Sequence, residues 1–526
     1  MTAAADLVLT NAEIHTLTDP DETAEALAVR DGRIVAVGTT FDVDQLAGVE
    51  TTVRDCEGRV VLPGFIDAHT HLPMIGRRLV NADLSAADSP GEAVDLLAAR
   101  AADLDAGGSP DREWVLGFGY DESAWDDDRY LTADDLDEVS TDRPVAAVRE
   151  DMHLASLDTA ALDRLRDGMP ESDVRTRAGE PTGVVVEDAL DALWDAIEPD
   201  RAATGRAVHA ATERATELGV VGVHDMVRRS EAPAVYRELD RVGALPLRVR
   251  LNYWSDHLDA VAELGLRTNH GSDRVRVGAI KTYTDGSIGG RTAKLTEPYA
   301  DADPDSGDTD GDARGQWVVD PEELRDLVAR ADAADLQVAV HAIGDEAIRE
   351  TLDALESADG ARHRIEHAEL LTDDLVERIA ERDVVASMQP NFLKWAREGG
   401  LYAARLGDER RLASNRFSDL LDAGADLAFG SDCMPLDPLY GVQQAVTAPD
   451  DRQRLSVTEA LRAYTGGAAY AGFDEDRLGT VEAGTLADLV VLDRSPWDVS
   501  PDAIADIDVR ATVVGGEVVF DRDGAR

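Results

Sequence analysis

The chain has 526 residues, of which 106 are acidic and 52 basic, giving a formal charge of −54. A field of that sign repels phosphate backbones and rules out nucleic acid as a partner. Disorder is ruled out as well, since 44% of residues are hydrophobic and the acids are interspersed with apolar runs.

The first 60 residues read as short strands broken by turn residues: Asp6–Leu9, Ala26–Arg30, Arg33–Val37 and Arg59–Leu62 are separated at Asn11, Asp31-Gly32 and Gly38. The last 50 are alike, with Ala487–Asp493 and Ala511–Phe520. Two β-rich ends around one long middle predict a small β-sandwich built from both termini. In the middle, buried strand-like runs alternate with amphipathic helical runs, the α/β pattern. The strands expected are Val60–Ile66, Val220–Asp225, Leu247–Tyr253, Val277–Tyr283, Leu336–His341, Arg364–His367, Val384–Gln389 and Leu427–Ser431. Between them lie helices such as those opening at Pro321 and Thr372, with capping residues and acids in the first turn. Eight such steps predict an α/β fold, a (β/α)8 TIM barrel over residues 61–475 with an insertion at about 72–205. Residues 1–60 and 476–526 supply the two parts of the sandwich. The acidic run 301–312 fails the calcium-loop template: aligned on Gly311, position one is Ser306 and position twelve is Trp317 where a Glu is required. It reads as a solvated loop.

Chemistry-bearing residues gather at the ends of these strands. His69 and His71 follow the first strand at i, i+2 spacing, which lets both imidazoles face one space. His341, His367 and Asp432 close the fifth, sixth and eighth strands. Barrel enzymes place their sites at that end, and the set suits borderline divalent metals. Only three basic residues are lysines, Lys281, Lys294 and Lys394, and Lys281 closes the fourth strand. An ammonium there would repel a metal, whereas a lysine carbamylated by carbon dioxide becomes a carboxylate able to bridge two. Abundant acids with lysine nearly replaced by arginine also predict a halophilic protein, in which salt screens the self-repulsion.

The order His-x-His, Lys, His, His, Asp resembles the amidohydrolase superfamily. Further segments are similar to its family 3 branch, which includes N-substituted formamide deformylases: Leu62–His71, Lys281–Ala293, Val340–Ile348, Arg364–Ala368, Gly430–Asp432 and Gly479–Asp493. The resemblance implies that His69 and His71 ligate a first metal and that carbamylated Lys281 bridges to a second held by His341 and His367. Asp432 would touch the first metal and act as general base. The implied cofactor is a divalent metal, zinc by expectation, as one ion or two. The implied reaction is hydrolysis of a non-peptide C–N bond, an N-formyl or N-acyl amide, by attack of a metal-bound hydroxide. Alternatives are a cyclic-amide hydrolase or a heterocycle aminohydrolase, for which Asp345 and Glu346 lie just past His341. From a different class stands an inactive ligand-binding barrel.

The insertion carries Trp114–Trp125 and Glu150–His153. These resemble family segments that would form a lid presenting Tyr120, Asp121, Asp151 and His153 to substrate; the other reading is a small hydrophobic core. Asp285 is expected to shape the pocket mouth, and His224-Asp225 to be packed core or to back the site. Two cysteines, Cys56 and Cys433, give no disulfide framework, and Cys433 lacks a base partner for nucleophilic work. No apolar run of membrane-spanning length and no signal-like N-terminus is seen, so a cytoplasmic location is expected. The expected partner is a small-molecule substrate, with no membrane and no nucleic acid. A homodimer is admitted, the sequence leaving the oligomeric state open.

Overall fold

The computed structural model describes residues 4–107, 114–122, 125–127, 129–139, 143–150, 152, 154–186, 189–302, 313–358, 360 and 362–524. Most of the acidic run 301–312 lies outside them. The chain divides into two compact units, Met1–Leu72 with Thr212–Arg526, and Pro73–Ala211.

The first unit is built on an eight-stranded parallel sheet: β1 (Phe65–Thr70), β2 (Val220–Val227), β3 (Arg248–Trp254), β4 (Val275–Tyr283), β5 (Val338–Ala342), β6 (His363–His367), β7 (Val384–Met388) and β8 (Asp426–Phe429). Each pairs in sequence order with the next, and β2 pairs back to β1. The strands are mostly buried along their length, as both faces of a parallel sheet are covered; β2 and β7 are buried at every residue. The barrel nearly closes where β8 leaves toward β1. Asp432 N–H donates to the His69 carbonyl at 2.8 Å. Gly430 lies so close that a Cβ there would fall 2.4 Å from the His69 nitrogen, and only glycine fits that seam.

The helices follow the expected rules. Pro321–Asp332 opens on Asp320, whose carboxylate accepts from Glu322 N–H, and buries Leu324, Leu327, Val328 and Ala331 on one stripe. Asp373–Glu381 buries Leu375, Val376 and Ile379.

One expected strand divides in two. Val60–Ile66 breaks at Gly64: Val60–Pro63 pairs with Leu489–Leu492 and Glu13–His15, while Phe65 onward becomes β1. Only glycine fits at the break, since a Cβ on Gly64 would lie 2.2 Å from a Val221 methyl. Strands from both ends of the chain share one sheet, ordered Glu517–Asp521, Val509–Val514, Leu489–Leu492, Val60–Pro63, Glu13–His15 and Thr23–Ala24. A second sheet holds Arg33–Gly38, Ala26–Arg30, Leu7–Thr10 and Thr52–Asp55. Leu9, Ile14, Leu27, Val61, Leu489, Val491 and Val513 pack as one buried cluster, making the pair a β-sandwich.

The N-terminal ends of β3 and β4 form a floor braced by arginine–aspartate pairs. Arg248 grips Asp488 through two bonds of 2.6 and 2.9 Å, and Gly515 N–H donates to the same carboxylate at 2.7 Å. Arg250 and Arg276 converge on Asp474 at 2.8 and 2.9 Å.

The second unit has its own six-stranded sheet, in the order Val174–Arg177, Glu180–Val186, Leu154–Leu157, Val145–Arg149, Val115–Tyr120 and Ala82–Asp83. Apolar clusters cover both faces, one around Trp114, Phe118 and Leu193, the other around Leu97, Tyr120 and Trp125. Among the described residues of either unit, no helix is long and apolar enough to cross a membrane.

Candidate metal centre

The C-terminal ends of the barrel strands bring the expected ligands together. β1 delivers His69 within the strand and His71 just past it, while β5 carries His341, β6 ends on His367 and Asp432 follows β8. Ring centroids lie 5.9 Å apart for His69–His71, 4.8 Å for His69–His367 and 4.5 Å for His341–His367. One ligand atom each from His69, His71 and Asp432 lies within 4.8 Å of the other two. Asp432 Oδ1 is 3.4 Å from His71 Nε2 and 3.8 Å from His69 Nε2.

Two of these positions depend on unusual backbone. His367 has φ 72° and Asp432 φ 47°, each followed by another positive φ at Ala368 and Cys433. Strand alternation would turn His367 away from the face used by Glu366; the left-handed step re-aims it. Such strain in non-glycine residues concentrates at functional sites.

Hydrogen bonds fix which nitrogen three of the four imidazoles present. His69 Nδ1 lies 2.6 Å from Glu366 Oε2, His367 Nδ1 lies 2.7 Å from Gln389 Oε1, and His341 Nε2 lies 3.0 Å from the Gly286 carbonyl. Each of those nitrogens donates, so the other ring nitrogen keeps its lone pair for a metal. Burial, followed by the Lys281 charge, pushes His69 down to about 3, His71 to about 4 and His341 to about 3. The rings are therefore neutral, the state a metal ligand requires. Burial would raise the Glu366 carboxyl, but Arg364, His69 and Lys281 outweigh it and hold it well below its ordinary value.

Lys281 sits on β4, buried, with its Nζ 6.0 Å from the Trp254 ring centroid and without a hydrogen-bond partner among the described residues. Desolvation brings it down to about 8 against the pull of Glu366 and Asp432. Asp432 is pushed up to about 7, by burial first, with Lys281 opposing. An orphaned buried amine beside four neutral imidazoles and a carboxylate is the donor chemistry of a divalent-metal site, and these residues fit one.

Other expected residues have hydrogen bonds and ion pairs of their own. Asp285 is buried and accepts N–H bonds from Lys294, Ile343 and Gly344 at 2.8, 3.1 and 2.8 Å. It holds the loops after β4 and β5, with His341 Nε2 3.5 Å away. Asp345 accepts from Thr296 N–H at 3.0 Å and from the Thr296 hydroxyl. Asp225 accepts from Leu72 N–H and the Tyr236 hydroxyl, each at 2.9 Å. Tyr120 is wholly buried in the core of the second unit, its ring 5.6 Å from Trp125 and its hydroxyl 3.0 Å from Ser156 Oγ. Asp121 pairs with Arg149 at 3.2 Å. Asp151 and His153 lie outside the described residues.

Three polar residues of the site went unassigned in the sequence reading. Glu366 stands inside the Arg364–His367 segment, Gln389 ends the seventh expected strand, and Asp67 precedes His69 by two. Asp67 accepts N–H bonds from His69 and Ser431, both at 3.0 Å, tying β1 to the Asp432 loop. The i, i+2 spacing that paired His69 with His71 points equally to Asp67 and to Arg364 with Glu366.

Residues 52–520 match the Amidohydrolase family. The chain belongs to that family, in its family 3 branch. This amidohydrolase is an enzyme, a metal-dependent hydrolase of carbon–nitrogen bonds other than peptide bonds. It is 30% identical to YtcJ of Bacillus subtilis, over 97% of this chain and 98% of that one. It is 27% identical to the N-substituted formamide deformylase of Arthrobacter pascens, end to end in both. A metal-dependent hydrolase from Pyrococcus furiosus has the same fold, with a TM-score of 0.79 at 32% identity over 94% of this chain and 100% of that chain.

Proposed function

We propose that this amidohydrolase cleaves N-formyl or N-acyl amides of small molecules at a zinc centre of one or two ions, with Asp432 as general base. The observation that carries this is the convergence of four neutral imidazoles, a buried lysine and one carboxylate on the barrel's C-terminal end. Likeness to the formamide deformylase supports the formyl amide as first choice. His69, His71, His341, His367, Asp432 and carbamylated Lys281 would hold the metal. A divalent ion there makes water acidic near neutral pH and withdraws electrons from a carbonyl oxygen.

The chain's own residues do the rest. Asp432 accepts the proton of the attacking water at a carboxylate oxygen and delivers it to the departing amine nitrogen as the C–N bond breaks. The left-handed backbone at Asp432, tied down by its N–H bond to His69, keeps that carboxylate among the imidazoles. Trp254, 6.5 Å from the His71 ring, and Phe392, stacked 5.9 Å from His367, wall the centre with apolar surface. Carbamylation needs an unprotonated amine, which Lys281 supplies because burial depresses it: Nζ adds to carbon dioxide and one proton leaves. The sparse lysine and the abundance of acids support a protein working at high salt, and we place it in the cytoplasm.

The test is a substrate panel at molar salt: N-formyl amines, N-acyl amino acids, cyclic amides and aminopurines. Formate release from N-formyl amines, abolished by chelation and restored by zinc, is the expected result. Ammonia release from an aminopurine with no formamide cleavage would overturn the reading.

A further inference from the structure

Below the ligands, the barrel interior holds an arginine that bonds across four strands. Arg364, on β6, is the largest fully buried side chain among the described residues. Its Nε donates to Glu366 Oε1 at 2.7 Å and its Nη2 to Glu366 Oε2 at 3.1 Å. Nη2 also donates to the Ala68 carbonyl on β1 at 2.6 Å and to Ser387 Oγ on β7 at 2.8 Å. Nη1 lies 2.7 Å from His224 Nδ1 on β2. A guanidinium only donates, so His224 accepts there and is neutral. Glu366 is thus gripped on both oxygens from below, and its Oε2 alone reaches up to His69 Nδ1.

We infer that Arg364 and Glu366 are positioning residues that lock His69 in the tautomer with its Nε2 lone pair facing the metal centre. The inference rests on the metal reading of the site. The logic is one of donors and acceptors. Oε1 accepts the single Arg364 Nε–H, which has no other acceptor among the described residues, and Oε2 accepts the His69 Nδ1–H, while the Arg364 Nη2 that also touches Oε2 keeps the Ala68 carbonyl and Ser387 Oγ. A neutral amide of the same shape cannot satisfy both. In Glu366→Gln, Arg364 claims the amide oxygen at the Oε1 position and the NH2 group is left facing His69 Nδ1. That donor converts His69 to the Nε2–H tautomer, and the lone pair turns away from the metal. Arg364 acts on His69 through this contact and through its bond to the neighbouring Ala68 carbonyl, and its bonds include no ligand atom directed at the metal.

The experiment measures zinc affinity by competition with a chromophoric chelator, together with the His69 tautomer from two-bond nitrogen–proton spectra of the metal-free protein. In wild type, His69 shows Nδ1–H. In Glu366→Gln it shows Nε2–H, and zinc affinity falls roughly 10–100-fold, the range for loss of a ligand's supporting bond. The melting temperature of the metal-free protein reports folding separately. In the double variant Arg364→Met/Glu366→Gln the amide is free to turn its oxygen toward His69, and no buried charge is left alone. The Nδ1–H tautomer returns, and affinity recovers to within about tenfold of wild type. Wild-type tautomer and affinity in Glu366→Gln would overturn the inference, as would a double variant no better than the single. A wild-type chain that takes up no divalent metal would instead remove the metal reading beneath it.

Discussion

The two ends of the barrel use charge in opposite ways. At the floor, Arg248, Arg250 and Arg276 meet Asp474 and Asp488 in bonds of 2.6–2.9 Å. At the rim, among the described residues, Lys281 Nζ has no hydrogen-bond partner and Asp432 lies 3.4 Å from the nearest imidazole nitrogen. A group already saturated by its neighbours stabilises a fold, and one held in place yet unsatisfied is available for chemistry. The −54 charge is no guide to either end, because most of its acids are surface groups.

Substitutions separate the two ends. Asp432→Asn should retain metal and melting temperature but lower kcat about 10²–10⁴-fold, the usual worth of a general base; undiminished turnover would end that assignment. Arg248→Met strands the buried Asp488 carboxylate and should cost about 3–5 kcal/mol of stability. Its kcat per folded molecule should stay at the wild-type value, and loss of kcat with stability unchanged would erase the contrast between floor and rim.

A pH profile sharpens the rim. Without metal, burial holds Asp432 up at about 7, so its base form is lost as pH falls through that value. A bound cation favours the carboxylate, so the acid limb of kcat/KM in the loaded enzyme should have its midpoint below 7. The limb should fall roughly tenfold per pH unit. Metal content should persist below that midpoint, because burial keeps His69, His71 and His341 neutral down to about 3–4. The smallest effect concerns the insertion. Tyr120→Phe should remove a bond to Ser156 worth about 1 kcal/mol and leave KM unchanged. A raised KM would return Tyr120 to the substrate.

Much of this architecture was legible beforehand. Parallel strands buried on both faces write themselves as apolar runs, and the strand-end ligands stood out because histidine and lysine are scarce in this chain. What escaped needed the third dimension. The need for glycine at the Gly64 break comes from Val221, a residue distant in the chain that leaves no room for a side chain there. Arg364 and Glu366 read as an ordinary alternating strand until the closed barrel sets them beneath His69. The turn of His367 into the site relies on a positive φ that no local pattern announces. The aromatics of the insertion allowed two readings, and Tyr120 lies in that unit's own core.

The most direct test of the central claim is zinc titration of the metal-free enzyme, with formate release from an N-formyl amine followed on the same samples. Turnover should rise with bound zinc and saturate at one or two equivalents per chain, while His69→Ala neither binds at that stoichiometry nor turns over. Full hydrolysis by metal-free protein, or by His69→Ala, would contradict the account.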